Sequence, residues 1–119
     1  MLQLSHKGLD VYTISLKLAE EIYKSTAQFP LSEKYILTNQ IRRAAISVCS
    51  NIAEGCARKS SQEKVRCFEI SRSSLVEIDT QLEIAFILQY LQKEQIKELE
   101  NYLERSFMML SKLIEKAKA

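Results

Sequence analysis

A chain of 119 residues with 27% charged side chains and a formal net charge of +2 has the length of one domain, residues 1–119, and is long enough to bury a single core. Gly8, Gly55 and Pro30 are too few breakers for the frequent turns of a β fold, and no apolar run approaches the ~20 residues that span a bilayer. Cys49, Cys56 and Cys67 lack a Cys-x-x-Cys spacing and the N-terminus lacks a basic region followed by an apolar stretch, so a cytoplasmic protein without disulfides, zinc or a membrane is expected.

The first apolar repeat, Leu9, Tyr12, Leu16, Ala19 and Tyr23, steps by three and four residues and predicts a helix from about Leu9 to Gln28, halted by Phe29-Pro30. Ser32 is the expected N-cap of a second helix, and Glu33 suits the positive end of its dipole. Along that helix Ile41, Ala45, Val48, Ile52 and Cys56 share one face, while Arg43, Ser50 and Glu54 point away. Gly55 is the natural left-handed stop, with Arg58 the later end point if tertiary contacts extend the helix. Ser60 followed by Glu63 is a capping-box pattern opening a third helix, whose stripe is Phe68, Ser71, Leu75, Ile78, Leu82, Ala85 and Gln89. After a turn at Leu91 to Lys93, a fourth helix repeats Ile96, Leu99, Leu103, Ser106, Leu110, Leu113 and Ala117. Four such helices with short connections predict an all-α, antiparallel up-and-down four-helix bundle.

The apolar pattern exceeds what one core requires. Ile84, Ile87, Leu88 and Leu91 lie away from the main stripe of the third helix, and Ile46 and Ala53 belong to a weaker second face on the second helix, beside Arg42 and Cys49. These six residues are the expected interface of a homo-oligomer; the alternative is a wide core whose edges they cover. Tyr12, Tyr23, Tyr35, Phe68, Phe86 and Phe107 fall on core or near-core positions rather than among the basic residues as a base-stacking platform would.

Charge is uneven. From Gln40 to Arg72 seven Arg and Lys residues face only Glu54, Glu63 and Glu69, a local net of +4 that leaves −2 for the remainder. An antiparallel hairpin of helices two and three would gather Arg58, Lys59, Lys64 and Arg66 at one end of the bundle, with Arg43 and Arg72 at similar heights on the same broad surface. Guanidinium groups bind phosphate through two hydrogen bonds at once, so RNA or DNA is a fitting partner; ordinary solvated charges, some paired with the three glutamates, are the alternative. Catalysis is poorly supported. His6, the only histidine, sits near a mobile end, the glycines are isolated, and no Glu-x-x-His pair suggests a di-metal bundle; Glu54, Glu77 and Glu83 read as surface groups. No enzyme activity, metal or cofactor is expected.

The block Gln40-Ile41-Arg42-Arg43-Ala44-Ala45-Ile46-Ser47-Val48-Cys49-Ser50-Asn51-Ile52-Ala53-Glu54-Gly55 resembles the small four-helix bundle proteins encoded in the intervening sequences of bacterial 23S ribosomal RNA genes. Phe68-Glu69-Ile70-Ser71-Arg72-Ser73-Ser74-Leu75-Val76-Glu77 continues the resemblance, where that family reads like Phe-x-x-Ala-Arg-Gly-Ser-Leu-x-Glu. Arg43, Asn51, Glu54, Gly55 and Arg72 match its motifs; Cys56, beside a commonly glycine-rich turn, and Ser73, where glycine is common, depart from them. The resemblance implies a nucleic-acid-associated protein that self-associates, as relatives that form ring-like pentamers do, and a related bundle serves beside the reverse transcriptase of diversity-generating retroelements. Two functional classes follow: an oligomeric RNA- or DNA-binding accessory protein using Arg43, Arg58, Lys59, Lys64, Arg66 and Arg72, and a protein-interaction scaffold that binds itself or a partner such as a reverse transcriptase.

Overall fold

Apolar side chains at steps of three and four residues wind the chain into four helices: α1 (Asp10–Thr26), α2 (Leu37–Ala57), α3 (Ser61–Ile87) and α4 (Lys93–Lys118). In the computed structural model, which describes residues 1–119, these form an antiparallel bundle with extents of 43 × 26 × 21 Å, with a 3-10 turn at Ser5–Gly8 before α1 and another at Leu31–Glu33 between α1 and α2. Each helix packs against two others, α1 against both α2 and α4. Leu18 and Ile22 from α1 meet Ile41, Val48 and Ile52 from α2, Leu75 and Ile78 from α3, and Leu99, Leu110 and Ile114 from α4, all almost fully buried. No helix is long and apolar enough to cross a membrane.

In α1 the face that enters the core is Val11, Ile14, Leu18 and Ile22, one to two positions from the expected stripe. Leu16 and Tyr23 are exposed, because α1 carries two apolar repeats and periodicity alone does not say which turns inward. Tyr23 is used on the flank: the Arg42 guanidinium lies 4.5 Å from its ring centre, and Arg42 Nε donates to Thr26 Oγ1 at 2.8 Å, clasping α1 to α2. Tyr35, Phe86 and Phe107, also expected at or near the core, are exposed.

Ser32 does not cap α2; it lies inside the Leu31–Glu33 turn, and α2 begins four residues beyond Glu33. Glu33 does that work. One carboxylate oxygen accepts the Leu37 N–H at 3.4 Å and the other accepts the Tyr90 hydroxyl at 2.9 Å, tying the α1–α2 connection to the α3–α4 connection. The acceptor carboxylate, reinforced by burial, raises the Tyr90 phenol above its ordinary pKa, so the tie holds at neutral pH and is lost when the phenol ionises in strong base.

Gly55 does not stop α2, which continues to Ala57 with no positive φ at the glycine. Its missing side chain makes room for a neighbour: a Cβ at Gly55 would stand 2.5 Å from Phe68 Cε1 and 3.1 Å from Cys67 Cβ. The α2–α3 seam is close along its length. Ser71 Oγ donates to the Val48 carbonyl at 2.8 Å, and the Ser74 and Ser47 hydroxyls lie 2.9 Å apart. Ser73 faces solvent, so its replacement of a family glycine obstructs no helix of this bundle. At the start of α3 Ser60 is the N-cap as expected, its hydroxyl accepting the Glu63 N–H at 3.1 Å. The left-handed residue of the molecule is Gln89, φ 64°, where α3 ends with Tyr90 N–H donating to the Ala85 carbonyl at 2.9 Å.

Candidate nucleic-acid interface

Antiparallel packing brings the α2–α3 turn, the C-terminus of α4 and the Ser5–Gly8 turn to one end of the bundle. Arg58 and Lys59 are exposed in the turn, and Arg66 is exposed one turn into α3. Lys64 is half-buried and already engaged: its ammonium donates to the Cys56 carbonyl at 3.1 Å and the Gly55 carbonyl at 3.4 Å, satisfying the open end of α2. A hollow of about 310 Å³ joins Lys64 to Lys116, His6 and Cys56, and Lys118 lines a second hollow with Arg66, Glu63 and Glu69. Lys116 and Lys118 escaped the sequence reading, which confined the basic surface to the central hairpin. The signal was available, since an up-and-down bundle places the end of its fourth helix beside the turn between the second and third.

Ion pairing does not consume these charges. The salt bridges within 4.0 Å are those of Lys24 with Glu20 and Glu21, both at 3.9 Å and both on α1.

Arg43 and Arg72 have different surroundings. Arg43 is exposed on α2, free of hydrogen bonds and ion pairs. Arg72 follows Ser71 by one residue and so is turned by about 100° toward α4. There its Nη1 donates to Ser111 Oγ at 3.1 Å and its guanidinium lies 5.7 Å from the Phe107 ring centre. Arg72 is thus held on the α3–α4 side of the bundle, a consequence of helical phase that height along the hairpin does not reveal.

The opposite end is apolar. Ile84, Ile87 and Leu88 are exposed at the end of α3, Ile87 by 76%. Leu31 (84%) and Tyr35 (81%), with Ile36, add to that end from the α1–α2 connection, a contribution the sequence reading lacked. Ile46 is exposed and Ala53 half-buried on the outer side of α2. Leu91, however, belongs to the core at 4% exposure. Extrapolating helical phase past Leu88 placed it outside, but the left-handed Gln89 swings the chain back beneath the bundle.

The remaining reactive side chains are held as packing groups. Burial raises the Cys49 thiol pKa, and its sulfur donates to the Ser15 carbonyl at 3.3 Å; burial also raises Cys56, opposed by the Lys64 charge. His6 is buried against Tyr12, ring centres 4.6 Å apart and edge to face, rather than lying in a loose terminus.

No curated protein matches the chain. Among solved structures it is similar to a protein of unknown function from the S23 ribosomal protein family of Bacteroides thetaiotaomicron, with 22% identity and a TM-score of 0.80 over 88% of this chain and 95% of that one. At that identity the likeness carries the fold alone, an all-helical bundle. The family model described as 23S rRNA-intervening sequence protein matches residues 7–112, from the turn before α1 into the last turns of α4. The chain therefore belongs to the family of 23S rRNA-intervening sequence proteins.

Proposed function

We propose that this protein is a non-enzymatic, cytoplasmic, oligomeric accessory protein that binds RNA or DNA through the basic end of its bundle. The observation that carries the reading is the gathering of Arg58, Lys59 and Arg66 with Lys116 and Lys118 at one end, none with a carboxylate within 4.0 Å. Such cations neutralise phosphates without reading bases, so affinity should fall steeply with salt and vary little with sequence. Arg43, separately exposed on α2, extends the surface; Arg72 and Lys64 have intramolecular partners and contribute less. Fluorescence anisotropy with single- and double-stranded RNA and DNA at several salt concentrations tests this. Arg58→Glu with Lys59→Glu and Arg66→Glu should lower affinity by ten-fold or more, about 1.4 kcal/mol. Undiminished binding by a folded triple variant would sink the reading.

The exposure of Ile84, Ile87 and Leu88 favours a second reading, a self-associating scaffold. A ring of five, and a reverse transcriptase as protein partner, are the assemblies that family analogy offers. Under this reading Ile87→Asp with Leu88→Asp weakens assembly in sedimentation equilibrium while Glu98→Gln leaves it intact. A wild-type chain that stays monomeric through the micromolar range excludes it.

A further inference from the structure

The seam between α3 and α4 is open where the α2–α3 seam is closed. A hollow of about 630 Å³ has Leu82, Phe86 and Ile96 among its lining residues, and a neighbouring one of about 320 Å³ is lined by Leu75, Val76, Leu103, Phe107 and Met108. Asp79 lines both, so the two lie side by side along the same α3–α4 groove face. From Val76 to Phe86 it follows eleven residues of α3, about 15 Å or three helical turns. Its central rim is acidic: Glu83 and Glu100 flank the first hollow, Asp79 and Glu104 the second. Lys93, Glu94 and Lys97 stand toward the start of α4, and the Arg72 guanidinium lies over the Phe107 ring at the other end. None of the four carboxylates has a cation within 4.0 Å, and they do not converge as metal ligands.

We propose that this groove is a docking site for a basic amphipathic helix of a partner protein. Two helical ridges with an apolar trough between them fit a third helix of about three turns, whose Leu or Ile residues at i, i+3 or i+4 and i+7 enter the trough. Lysines or arginines flanking that stripe would meet Asp79, Glu83, Glu100 and Glu104, which otherwise repel one another across the seam. The same carboxylates repel phosphate, so the groove is distinct from the basic end and this inference does not depend on nucleic-acid binding.

The full-length protein can be tested with a fluorescein-labelled peptide of about 14 residues, Leu and Lys arranged at helical spacing. Its controls are the same composition in scrambled order and a Leu/Glu counterpart of the same pattern. Saturable binding of the first peptide alone is expected. Val76→Lys with Met108→Lys, at side chains 54% and 61% exposed, should weaken it about ten-fold or more without unfolding the bundle. Neutralising the rim with Asp79→Asn, Glu83→Gln, Glu100→Gln and Glu104→Gln should do the same, leaving nucleic-acid affinity unchanged or higher. Equal binding of the scrambled peptide, full affinity in either variant with a wild-type thermal melt, or release of subunits by the peptide, which would mark the groove as a contact between copies, overturns the proposal.

Discussion

Between α2 and α3 the chain reverses through Arg58, Lys59 and Ser60 with no left-handed residue, although Gly55 stands three positions upstream. Between α3 and α4 it reverses through Gln89, which adopts the left-handed conformation that glycine accepts at little cost. The two hairpins use their residues in opposite ways. At the first, glycine is spent on packing, letting the Phe68 ring lie against the α2 backbone, while Lys64 satisfies the free carbonyls of Gly55 and Cys56 and Ser60 caps the next helix. At the second, the chain bears the strain of Gln89 and recovers order from the Gln92–Gln95 capping box, in which the Gln92 N–H donates to Gln95 Oε1 at 2.9 Å. A glycine near a helix end thus signals either a turn or a close approach, and the deciding fact is what sits opposite it.

The sharpest way to break this comparison is Gly55→Ala. The added methyl would stand 2.5 Å from a rigid ring buried at 3% exposure, an overpacking cost of about 2–3 kcal/mol against a helix-propensity gain of about 1 kcal/mol, so a net loss of roughly 1–2 kcal/mol is expected in urea unfolding. Pairing it with Phe68→Leu should cost less than the two separate losses combined. A neutral or stabilised Gly55→Ala would show that the glycine serves neither packing nor turning.

The effect at the other hairpin should have the opposite sign. Gln89→Gly relieves left-handed strain of about 1–2 kcal/mol while adding freedom to the unfolded chain, for a net gain of about 0.5–1 kcal/mol. Thermal melts of the two glycine variants, one lowered and one raised, make the contrast directly visible.

The smallest change tests the cap. Lys64→Met keeps the aliphatic stem and removes the ammonium from the Gly55 and Cys56 carbonyls, costing about 0.5 kcal/mol. Lys59→Met, exposed in the same turn, should be silent in the same urea titration.

The bundle and the Ser60 cap were legible because they depend on spacing and on a hydroxyl three residues from its target, both local properties of a chain. Ser32 misled because any Ser before an apolar run reads as a cap, whereas Glu33, fixed by Tyr90 from 57 residues away, supplies the contact. The basic turn was legible in its central residues, since Arg58 through Arg66 are contiguous in sequence. Its Lys116 and Lys118 component follows from the up-and-down topology once that is drawn, whereas the turning of Arg72 toward α4 and the burial of Leu91 were not legible, because each depends on how one helix is rotated or ended against another. The charge on the α3–α4 rim was likewise hidden, as Asp79 and Glu104 become neighbours only through tertiary packing.

The contact of α1 with α4 closes the bundle between segments separated by the whole α2–α3 hairpin. The other seams join helices adjacent along the chain, so this closure bears the largest loss of chain entropy on forming. Once it opens, α1 remains attached only to α2, and α4 only to α3. Partial opening should start there, with amide hydrogens of α1 exchanging ahead of those in α2 and α3 under native conditions. A bundle built in this way can loosen its first helix while the α2–α3 hairpin, with the basic turn that it carries, stays folded.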